Sequence, residues 1–292
     1  SERTKQIKNP PDILVTTPES LCVLFTNQKA VDLFCNLHTV ILDEWHELMG
    51  SKRGSQTELA LSWLRQQQSK LQTWALSATI GNIEEAIDHA LGINSNSKVI
   101  INCSPKRITS IESILPVSID GFPWAGHLGL RMYEELVAQL DPNISTLLFT
   151  NTRNQSERWH QCLRYACPEM EGALALHHSA IDRNERECIE ENMKSGIIRW
   201  VVCTSSLDLG IDFQPVEKVV QIGSPKNIAR LLQRAGRSAH SPGGKSKVLF
   251  MPTNALELLE LSALRRGLEN ELVEHRKAPN KPLDVLLQHL IT

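Results

Sequence analysis

Residues 40–47 read VILDEWHE, an aliphatic run that ends on two adjacent carboxylates, Asp43 and Glu44. A short run rich in Val and Ile reads as a buried parallel strand, which delivers both acids to its carboxyl end, the edge where open α/β sheets bind ligands. In nucleoside-triphosphatase chemistry the first acid holds Mg²⁺ and the second takes a proton from the water attacking the γ-phosphate. A strand followed by an acidic helix cap would look the same. The other motifs must decide.

QRAGRSAH, residues 233–240, sets Arg234 and Arg237 three apart on one face of an expected helix. Two guanidiniums so placed can grip a triphosphate, and one can stabilise charge in phosphoryl transfer. Two solvated arginines on a surface helix are the plain alternative, against which Gly236 counts, because glycine costs helix stability. TTPESL follows a strand-like run, and its hydroxyls, proline and Glu19 suit a helix start that presents N–H groups to phosphate. LSAT, residues 76–79, closes another run with two small hydroxyl residues. In VVCTSSLDLGIDF, residues 201–213, Thr204 and Ser205 suit a nucleic-acid phosphate, Gly210 a close backbone approach, and Asp212 a ribose or an arginine. An ordinary glycine turn is the alternative there. AHSPGGKS imitates a Walker phosphate loop with Ala239 in place of its first glycine. It follows a helix and opens the run KVLFMP, the reverse of the required strand-to-helix order, and so reads as a Pro-Gly-Gly turn.

Strand-like runs recur along the chain: DILVTT, TVILDE, QTWALS and KVIINC, then TLLFTN, GALALH, RWVVCT, KVVQIG and KVLFMP. Helical segments between them, at 57–68, 82–91, 155–165, 183–194, 228–235 and 255–266, imply βαβ units and parallel sheets. Prolines and glycines between 104 and 129 mark a linker. The expected fold is therefore α/β in two lobes, 1–105 and 106–268, with 269–292 as a linker and the start of a further helix. With 292 residues, 41% of them hydrophobic and 22% charged, the chain suits two globular domains and excludes disordered or collagen-like classes. No run approaches the roughly 18 apolar residues of a membrane span. The opening SERTKQIKNPPD has neither a signal-peptide core nor an initiator Met, and reads as internal to a longer protein.

Seven cysteines without a C-x-x-C pair read as reduced cytosolic thiols, with a metal site as the weaker alternative. Net charge is −2, but from Gly223 onward 11 Lys and Arg face 6 Asp and Glu. The stretch 223–250 holds six basic residues and no acid, a field suited to phosphates as well as a solvated basic face.

In their order, TTPES, DEWH, SAT, LLFTNTR, TSSLDLGID and QRAGRSAH resemble the helicase superfamily two core over nearly the whole chain. DEWHEL, PWAGHLG, ALHHSAID, TSSLDLGIDF, GSPK and QRAGRSAH are similar to the ligase-associated DEXH-box helicases of the large-helicase-related family, bacterial DNA-dependent ATPases that translocate along a single strand. ALHHSAID departs slightly from that family's His-His-Gly-Ser. The family's Gly-Lys-Thr phosphate loop has no counterpart in this sequence and is expected upstream of Ser1.

The resemblance implies two RecA-like lobes, the first N-terminally truncated, followed by the start of a winged-helix domain. It implies ATP and Mg²⁺ as ligands, Asp43 as the metal ligand and Glu44 as the base, with Trp45 and His46 coupling that site to the nucleic acid and to LSAT. Gly210 and Asp212 would lie near the nucleotide. Gln233, Arg234 and Arg237 would contact its phosphates across the cleft. Thr17, Pro18, Glu19, Thr150, Asn151, Arg153, His178, Thr204 and Ser205 would track the DNA backbone, with little sequence preference. Implied partners are single-stranded DNA or a tailed duplex, with an RNA–DNA hybrid as a further track and a functional link to a DNA ligase. A monomer of the bacterial cytosol, acting in 3′ to 5′ movement and repair, is expected. One rival is an ATPase-inactive nucleic-acid-binding module. Another, a metallohydrolase cluster of His177, His178, Asp182 and Asp43, needs residues from different expected lobes.

Overall fold

The computed structural model describes residues 9–27, 29–78, 80–93, 97–102, 109–116, 118, 122–124, 126, 128–208, 216–238 and 246–291. The chain divides into two units, Ser1–Ile101 with Val273–Thr292, and Asn102–Leu272. In the first unit α1 (Pro18–Phe25) opens as TTPES suggests. Pro18 stands in its first turn, and Ser20 N donates to the Thr17 hydroxyl at 3.3 Å. After α2 (Ala30–Leu33), β1 (Thr39–Leu42) ends immediately before Asp43. Then come α3 (Trp45–Met49), α4 (Lys52–Gln67), β2 (Gln72–Ala75) and α5 (Ile83–Leu91). β1 and β2 pair in parallel from Thr39↔Gln72 to Leu42↔Ala75. Leu42, Trp45, Met49, Leu61, Ala86 and Ala90 form the core of this unit.

The runs DILVTT and KVIINC, expected as strands, are irregular where described, and Val15 and Ile101 are exposed. β-Branched side chains favour extended backbone, but a strand exists only where a neighbour supplies its ladder. Among the described residues the sheet of this unit has two strands.

In the second unit β3 (Thr109–Ser113), α6 (Tyr133–Val137), β4 (Thr146–Phe149), α7 (Arg153–Ala166), β5 (Leu174–His177), α8 (Arg183–Lys194), β6 (Trp200–Cys203), β7 (Lys218–Ile222), α9 (Ile228–Ala235), β8 (Ser246–Met251) and α10 (Leu256–Glu269) alternate. They build a six-stranded sheet, order β3-β8-β7-β4-β6-β5, with every pairing parallel. Alternate strand residues face opposite layers. Leu147, Phe149, Val201 and Val219 pack with Ile189, Leu231 and Leu261 from α8, α9 and α10. Leu148, Val202, Val220 and Ile222 pack with Leu136, Trp159 and Leu163 from α6 and α7. Helices on both faces explain why TLLF and WVVC are buried throughout.

The unit boundary falls at 101/102, close to the expected linker. The tail, expected as a linker and the start of a further helix, holds a helix and groups with the first unit. Residues from Val273 onward, including α11 (Leu283–Ile291), belong to the first unit, where Lys52 Nζ donates to Asp284 Oδ2 at 2.5 Å and Asn82 Nδ2 to the Arg276 carbonyl at 3.0 Å. No helix among the described residues is long and apolar enough to cross a membrane.

Candidate active site

The first unit brings DEWH alongside residues 76–78 of LSAT, while Thr79 falls outside the described residues. Leu76 N donates to Leu42 O at 2.8 Å, and Trp45 N to Leu76 O at 2.9 Å. Glu44, at the start of α3, holds φ 49° and ψ 44°, the left-handed region that a non-glycine residue occupies at a cost of about 1–2 kcal/mol. Such strain persists where surrounding bonds over-determine it, and it clusters at functional sites. Here the bonds are those of Trp45, whose buried Nε1 also donates to Ala86 O at 2.9 Å, and of His46. His46 is buried; its Nδ1 accepts from Ala78 N at 3.2 Å and lies 3.3 Å from Ser77 Oγ. Acceptance at Nδ1 puts the proton of the neutral ring on Nε2, which faces Glu47 Oε1 at 3.6 Å. Burial pushes His46 below the ordinary imidazole value, and Glu44, 3.5 Å from Nδ1, pulls it partly back.

Asp43 is exposed at the strand end, and its Oδ1 accepts from Glu44 N at 3.0 Å. An exposed hard carboxylate fits Mg²⁺, which is commonly held by one or two acids together with phosphates and water. No group of three His, Cys, Asp or Glu residues suited to a metal ion occurs among the described residues.

Thr17, Pro18 and Glu19 lie together at the start of α1. Glu19 does not stand alone: Arg53 Nε donates to it at 2.5 Å and holds its carboxyl at about 2. Arg53, which the sequence reading did not single out, is the cation of this pair.

The second unit gathers its residues at the carboxyl edge of the sheet. Asn151, after β4, donates from Nδ2 to Ser224 O at 2.8 Å and so ties two strand ends together. Gly223, with φ 76°, lets that approach occur: a β-carbon there would sit 3.2 Å from Asn151 Nδ2. Arg153 Nη2 donates to Ser179 Oγ at 3.0 Å, and Ser205 is exposed after β6. Thr150, His178 and Thr204 are buried. The Thr150 hydroxyl donates to Cys203 O at 3.1 Å, and Ala180 N donates to His178 Nδ1 at 3.3 Å. These three sit behind the edge that Asn151, Arg153 and Ser205 present. His177, offered by the metallohydrolase reading, is bound between Ser206 Oγ at 2.8 Å and Glu190 Oε1 at 3.2 Å.

QRAGRS splits in a way its spacing did not announce. The α-helix stops at Ala235 and a 3-10 turn carries Gly236–Ser238, so the two arginines take different surroundings. Arg237 is half-buried, and its Nη2 donates to the Asp208 carbonyl at 2.8 Å. Arg234 is 1% exposed. Its Nε and Nη2 donate to Asp208 Oδ1 and Oδ2 at 2.8 and 3.2 Å, its Nη1 to Gln221 Oε1 at 2.5 Å, and its guanidinium stacks 4.6 Å from the Phe149 ring centroid. Arg234, expected to contact phosphates, is inside here, with an internal counter-charge. Gln233 lies part-buried beside it. Gly210 and Asp212 fall outside the described residues. Asp208 was missed; the acid inside TSSLDLG was its only signal. Gln221, a polar residue in the middle of the apolar run KVVQIG, was the matching one.

Residues 1–86 match the DEAD/DEAH box helicase family, and residues 130–241 match the helicase conserved C-terminal domain. The chain carries the two conserved domains of helicase superfamily two. It is 35% identical over 294 residues to ATP-dependent helicase Lhr-Core protein 2 of Thermococcus barophilus, covering 99% of this chain and 34% of that protein. It is 32% identical to the Lhr helicase/uracil glycosylase of Escherichia coli, covering 99% of this chain and 22% of the relative. The structure of Mycobacterium smegmatis helicase Lhr bound to ssDNA and AMP-PNP matches with a TM-score of 0.85 at 31% identity, over 99% of this chain and 38% of that one. The chain thus spans about a third or less of these two curated relatives. The parallel sheets are those of RecA-like helicase lobes.

Proposed function

We propose that the complete protein is an ATP-dependent DNA helicase or translocase of the DEXH type, moving 3′ to 5′ on single-stranded DNA, with a role in repair and a functional link to a DNA ligase. The observation that carries this reading is Glu44, held in a left-handed conformation at a strand end by the bonds of Trp45 and His46 to the LSAT segment. A base so fixed is pre-organised toward one point in space, which is what activation of a single attacking water requires. Asp43 would hold Mg²⁺, which when bound would supply positive charge to the phosphates. Glu44 accepts the proton of the attacking water. His46 passes the state of that site to Ser77 and Ala78, and Arg237 stabilises the charge of phosphoryl transfer.

Asn151, Arg153, Ser205 and Arg53 hold the nucleic-acid backbone, so loading is salt-sensitive and indifferent to base sequence. An RNA–DNA hybrid offers the same phosphates. We place the protein in the cytosol as a monomer, with α11 opening a winged-helix domain. The one Gly-Lys-Ser stretch in the sequence, residues 244–246, runs into β8 rather than a helix. The 292-residue chain alone should therefore release no phosphate from ATP.

Strand displacement by the complete protein tests the reading. Duplexes with a 3′ single-stranded tail should be unwound and those with only a 5′ tail should not. Equal displacement from both would overturn the direction, and none from either would favour the rival, a nucleic-acid-binding module.

A further inference from the structure

We infer that Asp208 is a positioning residue that fixes Arg237, an inference that rests on the role proposed above for that arginine. Asp208 is 5% exposed and follows the 3-10 turn Ser205–Leu207 at the end of β6. Its carboxylate takes both Arg234 bonds, and Arg230 Nε lies 3.5 Å from Oδ2. Its main-chain carbonyl takes the bond from Arg237. Arg230 and Arg234, four apart on α9, and Arg237 from the 3-10 turn that follows together bring three guanidiniums to one residue.

The division of labour within Asp208 is the informative part. A buried Arg234 needs a counter-charge, and the side chain alone provides it. Arg237 needs none of that, yet it is bound by the same residue's backbone. The carboxylate clamps the last turn of α9, while Gln221 and Phe149 hold the far side of Arg234. With the helix end clamped, the Asp208 carbonyl meets Arg237 at a fixed point. The clamp also ties Arg237 to the turn that carries Ser205, so a nucleic-acid contact there and the arginine are joined through residues 205–208. Between 223 and 250 the chain has no acid of its own, so the counter-charge for α9 comes from this turn.

The test measures steady-state ATP turnover of the complete protein with saturating single-stranded DNA. Misplacement of a catalytic group by about 1 Å costs roughly 10²-fold. Asp208→Asn should accordingly lower kcat by about 10- to 100-fold while KM for ATP moves by less than about threefold. If Asp208 acts through Arg237, Asp208→Asn introduced into the Arg237→Ala protein should change kcat by less than about twofold. A merely structural Asp208 would lower kcat by the same factor in both backgrounds, and that result overturns the inference. Should Asp208→Asn not fold, the paired Asp208→Asn and Arg234→Gln replacement removes both buried charges together. It should still lose kcat, and wild-type kcat in that variant also overturns the inference. Wild-type turnover is the control: its absence sinks the functional reading itself, whereas its presence alongside an unaltered Asp208→Asn sinks this inference alone.

Discussion

Arg234→Ala should act on stability, and the size of the effect follows from its surroundings. The substitution leaves Asp208 buried without its bidentate partner and removes the donor to Gln221 Oε1 and the cation over Phe149. Breaking a buried ion pair by deleting one partner costs about 3–5 kcal/mol. The stacking on Phe149 belongs to the same group, so it lies within that range rather than on top of it. For a unit of this length, about 2–4 °C is lost per kcal/mol, so the melting temperature of the second unit should fall by roughly 6–20 °C. Arg237→Ala breaks the bond to the Asp208 carbonyl from a half-buried position and should cost less, about 1 kcal/mol for that bond. Thermal unfolding followed by circular dichroism on both variants checks the contrast. An Arg234→Ala protein melting within about 2 °C of wild type would refute the buried-clamp reasoning and return Arg234 to the phosphates.

Burial holds His46, His160 and His177 below the ordinary imidazole value of 6.5. From that value downward the unfolded chain binds protons that the folded chain refuses, so stability falls as pH falls. The urea midpoint should be lower near pH 5.5 than near pH 7.5; an unchanged or higher midpoint counts against buried neutral imidazoles. Gly223→Ala forces a β-carbon into φ 76° and should destabilise by about 1–2 kcal/mol, read from denaturant unfolding; wild-type stability would mean the turn relaxes freely. Glu19→Gln removes an exposed ion pair with Arg53 and should change stability by less than about 1 kcal/mol. A larger loss in the same unfolding experiment would show that the pair anchors α1.

The second unit was legible because its strands are buried on both faces: TLLF, WVVC and KVVQI are mostly apolar for that reason, and the helices between them carry caps such as Thr152, Asp182 and Asn227. In the first unit the same criterion misread DILVTT and KVIINC, since side-chain pattern does not say whether a neighbouring strand is there. Asp43 and Glu44 were legible by position at a strand end. The left-handed backbone of Glu44 was not, because it is imposed by bonds from Trp45 and His46 to a segment some thirty residues away. Equal spacing made Arg234 and Arg237 look equivalent. What separates them is a helix that tightens into a 3-10 turn at Gly236 and the acid at 208, a tertiary partner that no local pattern names.

The central claim is that Glu44 is the base of a nucleic-acid-coupled ATPase. Steady-state phosphate release by the complete protein, with and without single-stranded DNA, tests it in wild type and in Glu44→Gln, where the side chain keeps its shape and loses its basicity. The account predicts turnover that rises with single-stranded DNA of any sequence, falls with added salt, and drops by about 10²-fold or more in Glu44→Gln. DNA-stimulated turnover in the Glu44→Gln protein equal to that of wild type would contradict it.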